Sequence, residues 1–144
     1  MRFRPWSLPI AALVVATACG VGNITAVLEP ETGTGDIYRL ISFNNKTVPA
    51  VVVEGQTTVE IKSGALTLAA DSTWIVSFVV RQSAGGSESN NLQTSRGNYS
   101  VTNGTLNLRY TGETLTRLSG AYSATEILLR DVTVVSGDQM LFRK

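Results

Sequence analysis

Residues 97–111 (GNYSVTNGTLNLRYT) alternate between apolar and polar on both sides of Asn103-Gly104, the dipeptide most characteristic of a two-residue hairpin turn with positive φ. With Thr102 and Thr105 flanking the turn, Val101 falls opposite Leu106, Tyr99 opposite Leu108 and Gly97 opposite Tyr110. The large apolar residues then share one face, and Asn98, Ser100, Asn107 and Arg109 share the other. A slip of one residue would mix the faces, so the pattern specifies the register.

The same period-two pattern recurs along the chain. Residues 37–43 (IYRLISF) form a first strand, Asn44-Asn45-Lys46 turns the chain, and residues 48–54 form a second strand with Pro49 at an edge or start. Residues 57–62 alternate, with Val59 and Ile61 on one side. Ser63-Gly64 reads as a two-residue turn into residues 65–69, setting Ile61 opposite Leu66 and Val59 opposite Leu68. Residues 73–81 are the longest candidate, with Trp74, Val76, Phe78 and Val80 on one face. Ile75 and Val79 make the other face partly apolar, which predicts a central strand or one covered on its outer side. Residues 83–91 (SAGGSESNN) read as a polar, mobile loop, either a plain connection or a lid or partner-binding loop. Strands follow at 92–101, 106–111, 114–123 and 126–135, and residues 140–143 (MLFR) close the chain. No segment has a helical period.

About eight to ten short strands joined mostly by hairpins predict an all-β, antiparallel up-and-down barrel, with a β-sandwich as the alternative. Sequential hairpins favour the barrel, since a sandwich needs long crossings. Closure also removes exposed edges, which matters in a chain with one cysteine and therefore no internal disulfide.

The N-terminus changes the picture from architecture to address. Residues 1–18 begin with Arg2 and Arg4 and continue with an apolar run from about Leu8 to Ala18, too short to span a bilayer as a helix. Ala16-Thr17-Ala18 fits the small-residue cleavage site of a secretory signal. The next residue, Cys19, is the only cysteine in the 144 residues. Ala16-Thr17-Ala18-Cys19-Gly20 resembles the lipobox of bacterial lipoproteins, in which the cysteine is acylated and becomes the new N-terminus. Gly20 in place of Asp resembles the outer-membrane-directed form. The alternative is a plain secreted or periplasmic protein with a chance thiol, a redox liability outside the cell. Residues 19–35, with Pro30, several glycines and no period, read as a flexible tether, and residues 36–144 as the domain.

Composition narrows the chemistry. Without Arg2 and Arg4 the chain keeps ten basic and eleven acidic residues, a net charge of −1, so nucleic-acid binding has no electrostatic support. With no histidine and a single cysteine, Ser-His-Asp and Cys-His nucleophiles and His- or Cys-rich zinc sites are excluded within this chain. A glycosidase would need two carboxyls within about 5 to 10 Å across a cleft. Asp71, Glu88, Glu113 and Asp138 fall at turns and Glu60 on a polar face, where solvated surface charge is expected. No Asp-rich calcium loop is present. No enzyme activity, catalytic residue, metal or cofactor is therefore expected. Four Asn-x-Ser/Thr sequons, at Asn23, Asn45, Asn98 and Asn103, are expected by chance in so Thr- and Ser-rich a chain.

The run Tyr38-Arg39-Leu40-Ile41-Ser42-Phe43-Asn44-Asn45 with Val48-Pro49-Ala50 resembles the start of small bacterial lipocalin-like lipoproteins. Ser63-Gly64-Ala65-Leu66-Thr67-Leu68 leading to Asp71-Ser72-Thr73-Trp74 extends the resemblance. So do Gly97-Asn98-Tyr99, Asn103-Gly104-Thr105-Leu106-Asn107-Leu108 and the terminal Leu141-Phe142-Arg143. It implies a β-barrel in a family mostly without assigned activity. On this reading Cys19 carries the lipid and the chain sits in the cell envelope, at the outer membrane if the host has two. The inward aromatics Trp74, Phe78, Tyr99, Tyr110 and Tyr122 would form the wall of a pocket for a small apolar or amphipathic ligand. The competing reading is an envelope interaction module, with a solidly packed barrel whose loops meet a protein partner.

Overall fold

A computed structural model describes residues 27–135 and 137–144; the signal and Cys19 lie outside them. Ten strands occur in the order β1 (Asp36–Phe43), β2 (Lys46–Thr47), β3 (Ala50–Val53), β4 (Thr57–Leu68), β5 (Thr73–Ala84), β6 (Ser87–Thr102), β7 (Thr105–Tyr110), β8 (Leu118–Tyr122), β9 (Glu126–Asp131) and β10 (Gln139–Arg143). Each long strand pairs antiparallel with its sequence neighbour, and β1 pairs with both β10 and β4. That last pairing closes an eight-stranded up-and-down barrel. β2 and β3 stand outside the ring, on the edges left where β1 and β4 diverge, joined through a cis Val48–Pro49 bond. The barrel, not the sandwich, is the fold.

The hairpin of β6 and β7 has the register its alternation dictates, with Val101, Tyr99 and Gly97 opposite Leu106, Leu108 and Tyr110. Asn103 and Gly104 take φ of 50° and 73°, the left-handed pair of a type I′ turn, whose twist matches the flanking strands. Asn44 and Asn45 make a similar turn, with φ of 49° and 64°.

Four local expectations are corrected. Ser63-Gly64 is not a turn but the middle of β4, which runs straight from Thr57 to Leu68 against β5. A bulge lies there instead: Ile61 faces Val80 and Ser63 faces Val79, leaving Lys62 as the extra residue. Gly64 is needed for close approach, because a Cβ would come 2.7 Å from Phe78 Cδ1 and 3.1 Å from Leu40 Cβ. The expected loop at 83–91 is the upper part of a long hairpin, with β5 and β6 paired as far as Ala84 and Ser87. Its turn is Gly85-Gly86, at φ of 57° and 83°. The strand expected at 114–123 begins only at Leu118, and that at 126–135 ends at Asp131. The second stop has a visible cause: Asp131 Oδ1 accepts from Thr133 N at 2.8 Å and from its hydroxyl, an Asx turn that leads the backbone out of the sheet.

Inward residues of β1, β4, β5, β7, β8, β9 and β10 make one core, with Tyr99 of β6 packed against it: Tyr38, Leu40, Leu66, Leu68, Trp74, Val76, Leu106, Leu108, Ile127, Leu129 and Phe142 are among its members. Charged residues such as Glu60, Arg81, Arg109 and Arg130 are not in it. An apolar interior with charge outside is the reverse of a barrel that spans a lipid bilayer.

The outer face of β5 is covered, as its two apolar faces predict. Residues 31–35 cross it as a strap. Glu31 N donates to Ser77 Oγ at 2.9 Å, Gly33 N to Thr67 Oγ1 at 3.3 Å, and Arg96 pairs with the Glu31 carboxylate. Thr67 and Ser77 are buried beneath it. The described part of the segment expected as a tether, 27–35, thus has no regular secondary structure but is fastened to the barrel from Glu31 onward.

Candidate functional site

The two ends of the barrel differ because up-and-down topology sorts the connections. One end carries the short turns at 69–72, 103–104 and 123–125, together with the start of β1 and the end of β10. The other carries the Asn44-Asn45 and Gly85-Gly86 turns, the short connection 54–56, and the two long connections 111–117 and 132–138.

Packed side chains fill the short-turn end. Trp74 is 1% exposed and Tyr38 is fully buried. The indole Nε1 donates to both Asn98 O and Arg109 O at 3.1 Å, so the one polar atom of the ring is satisfied. Gly97 makes room for it: a Cβ there would collide with Arg109 O and sit 2.9 Å from the indole nitrogen. Tyr99 donates its hydroxyl to Ala69 O at 2.8 Å and Tyr38 to Ala124 O at 3.4 Å. Burial first, then the neighbouring Tyr122 hydroxyl and the Asp36 carboxylate, push the Tyr38 hydroxyl far above its ordinary pKa; Tyr99 is raised mainly by burial.

At the long-loop end the interior opens into a cavity of about 300 Å³, at the lower limit for small-molecule sites. Phe43, Ile61, Val76, Phe78, Val80 and Met140 supply most of its apolar wall, with Gln93, Ser95, Asp131 and Asp138 as polar groups. Tyr110 also lines it and meets Trp74 edge-on, ring centroids 5.3 Å apart. That contact separates the open half of the barrel from the packed half.

Of the five aromatics expected to form a pocket wall, Phe78 and Tyr110 therefore line the cavity. Trp74 lies in the core against Tyr110, and Tyr99 and Tyr122 pack against that core without lining the cavity. The structure brings in Phe43, Ile61, Met140, Gln93 and Ser95, which sequence reading passed over. Alternation within the strand expected at 92–101 already puts Gln93 and Ser95 on the Tyr99 face, but as polar residues they carry no signal for an apolar wall.

The polar groups at the mouth are acidic or neutral. Asp131 is held below the usual carboxylate range by its Thr133 hydrogen bonds, so it is ionised at neutral pH. Asp138 Oδ1 accepts from Asn44 Nδ2 at 2.7 Å. Among the described residues no lysine or arginine lines the cavity. Arg117 lies beside it but is engaged, its guanidinium 5.4 Å from the Tyr110 ring centre and 3.7 Å from Glu113. Glu60 lies on the outer face between Arg81, at 2.8 Å, and Lys62, at 3.8 Å, so it belongs to a surface charge cluster rather than a cleft. Among the described residues no group of three or more His, Cys, Asp or Glu is placed to hold a metal ion.

Compared with protein-family models the chain matches none, and a search of curated proteins likewise finds no match.

Proposed function

We propose that the protein is a lipid-anchored, extracytoplasmic barrel of lipocalin-like type that encloses a small apolar or amphipathic ligand. The observation that carries the reading is the cavity of about 300 Å³ at one end of a closed barrel, walled by Phe43, Ile61, Phe78, Val80 and Met140. Enclosing apolar surface there gains about 25 cal/mol per Å² removed from water. The carboxylates of Asp131 and Asp138 at the mouth, with Arg117 beside Asp131 already engaged by Glu113 and the Tyr110 ring, favour a neutral or cationic head over a fatty-acid carboxylate. Lipid on Cys19, following the signal of residues 1–18, would hold the chain at an envelope membrane, for which several acyl chains give effectively permanent attachment.

The test is binding of N-phenyl-1-naphthylamine, a neutral apolar fluorophore, to the full chain. The wild type is expected to enhance its emission, a long-chain amine or alcohol to displace it, and a fatty acid of equal length to displace it more weakly. Val80→Phe, which fills the cavity, is expected to weaken binding at least tenfold. An unchanged affinity in Val80→Phe would remove the cavity from the account. Intact mass of the membrane-extracted protein beside a Cys19→Ala variant tests the anchor separately. The alternative, an envelope module that binds a protein, has its own support in the exposed Leu115, Val132, Val134 and Val135.

A further inference from the structure

Four exposed apolar side chains stand on two neighbouring connections: Leu115 at 75% exposure, and Val132, Val134 and Val135, the last fully exposed. Both connections, 111–117 and 132–138, lie at the cavity end. They are tied together, since Val132 N donates to Arg117 O at 2.9 Å, and Thr133 shares a surface groove with Leu115. The turns of the opposite end, 69–72, 103–104 and 123–125, carry only small or polar residues, and Val101 beside Asn103-Gly104 is the one large apolar residue exposed near them among the described residues. Four exposed apolar residues clustered on two neighbouring connections mark a surface that meets something other than water.

The strap says which way the N-terminal chain leaves. Gly35 sits against Leu68 and Ala69 at the packed end, Gly33 against Thr67 and Ile75, and Glu31 against Ser77. Followed backwards toward the N-terminus, the chain therefore climbs the outside of the barrel toward the mouth. Seven residues, 20–26, separate Cys19 from Val27, a reach of at most about 30 Å fully extended. An anchor so short keeps the barrel near the bilayer. The climb of the strap and the apolar loops select the end that meets it.

We propose that the mouth of the barrel faces the membrane, with Leu115, Val132, Val134 and Val135 seated among lipid headgroups, so that an amphiphile passes between bilayer and cavity without crossing water. The orientation rests on the anchored reading above, and it assigns the ligand's source: the lipid phase itself. Four apolar side chains at the interface add to the anchor by fixing its angle, since each gains only a modest amount on leaving water.

The experiment uses the full lipidated chain in vesicles of phosphatidylethanolamine and phosphatidylglycerol. Bimane is attached at Val134→Cys or, at the opposite end, at Thr125→Cys, both exposed positions. With lipids carrying a nitroxide near the headgroup, emission at position 134 is expected to fall at least twofold and that at 125 to stay unchanged. Serine at Leu115, Val132 and Val135 together is expected to restore most of the emission at 134, with Trp74 fluorescence reporting that the fold is intact. Equal quenching at both positions, or quenching at 125 alone, overturns the orientation. Absence of quenching at both in a chain whose mass shows the lipid also overturns it, and with 134 crosslinking to an envelope protein assigns the loops to that partner. None of these readings requires bound ligand, so loss of fluorophore binding in Val80→Phe and loss of the orientation are separate results.

Discussion

Trp74 shows how one residue divides the interior. Its indole fills the barrel beside Gly97, spends its only donor on two backbone carbonyls, and presents an edge to Tyr110 at the cavity floor. If the signal is removed, it is also the only tryptophan of the mature chain, so its emission reports on the cavity through one contact. Beneath it the buried tyrosines give the fold a pH dependence. Tyr38 and Tyr99 hold their protons more tightly folded than at the ordinary value of 10.0, so their contribution is whole below that value and is lost as pH rises above it. Asp71 and Asp131 are lowered from 3.8 by Thr73 and Thr133, so theirs is present above that value and is lost as pH falls. The urea midpoint is expected to be level between about pH 5 and 9 and to decline on both sides. Tyr38→Phe should flatten the alkaline decline; an unaltered decline would mean the tyrosine does not cause it.

At the scale of elements, β4 is the instructive case. A two-residue turn at Ser63-Gly64 would put Ile61 and Leu66 on one face, and a one-residue bulge at Lys62 does so too, because each converts odd positions to even. The apolar pattern is the same for both, and Ser-Gly is a turn signal in its own right. The two differ in what Gly64 touches. As a turn residue it would face solvent; in β4 it lies under the Phe78 ring. Gly64→Ala is thus expected to destabilise by about 1–3 kcal/mol, the usual result of overpacking, read as a lower urea midpoint. A change near zero would return the glycine to a turn. The β5–β6 hairpin was hidden for another reason. Residues 87–91 are exposed and polar, so no alternation marks them, and only the pairing with β5 makes them a strand.

For the whole molecule, closure is the long-range event. β1 meets β10 across nearly the full length of the domain, with Leu40 opposite Phe142 and Phe43 opposite Met140. It meets β4 on its other side. An ion pair between Lys144 and Asp36 spans the same seam, and one between Arg143 and Glu126 ties β10 to β9, both exposed and therefore worth little each. Closure therefore depends on the packed side chains of β10. Deleting residues 139–144 is expected to remove cooperative unfolding altogether, as Met140 and Phe142 leave the core and β1 and β9 become open edges. A truncated chain that still melts in one sharp transition, followed by far-ultraviolet circular dichroism, would contradict that dependence.

The sequence by itself determined the fold class, the Asn103-Gly104 hairpin with its register, the inward faces of β5 and β7, and the need to cover the back of β5. These follow from local chemistry: alternation with period two, and turn residues that accept positive φ. The bulge in β4, the length of the β5–β6 hairpin, the early end of β9 and the division of the interior were decided only in three dimensions. So was the candidate site. Its wall is drawn from strands as far apart in sequence as β1 and β10, and whether an inward aromatic lines a cavity or plugs an end depends on its height in a closed ring, which alternation does not encode. Tyr99 and Tyr110 share a face of one hairpin in the sequence, yet only Tyr110 reaches the cavity.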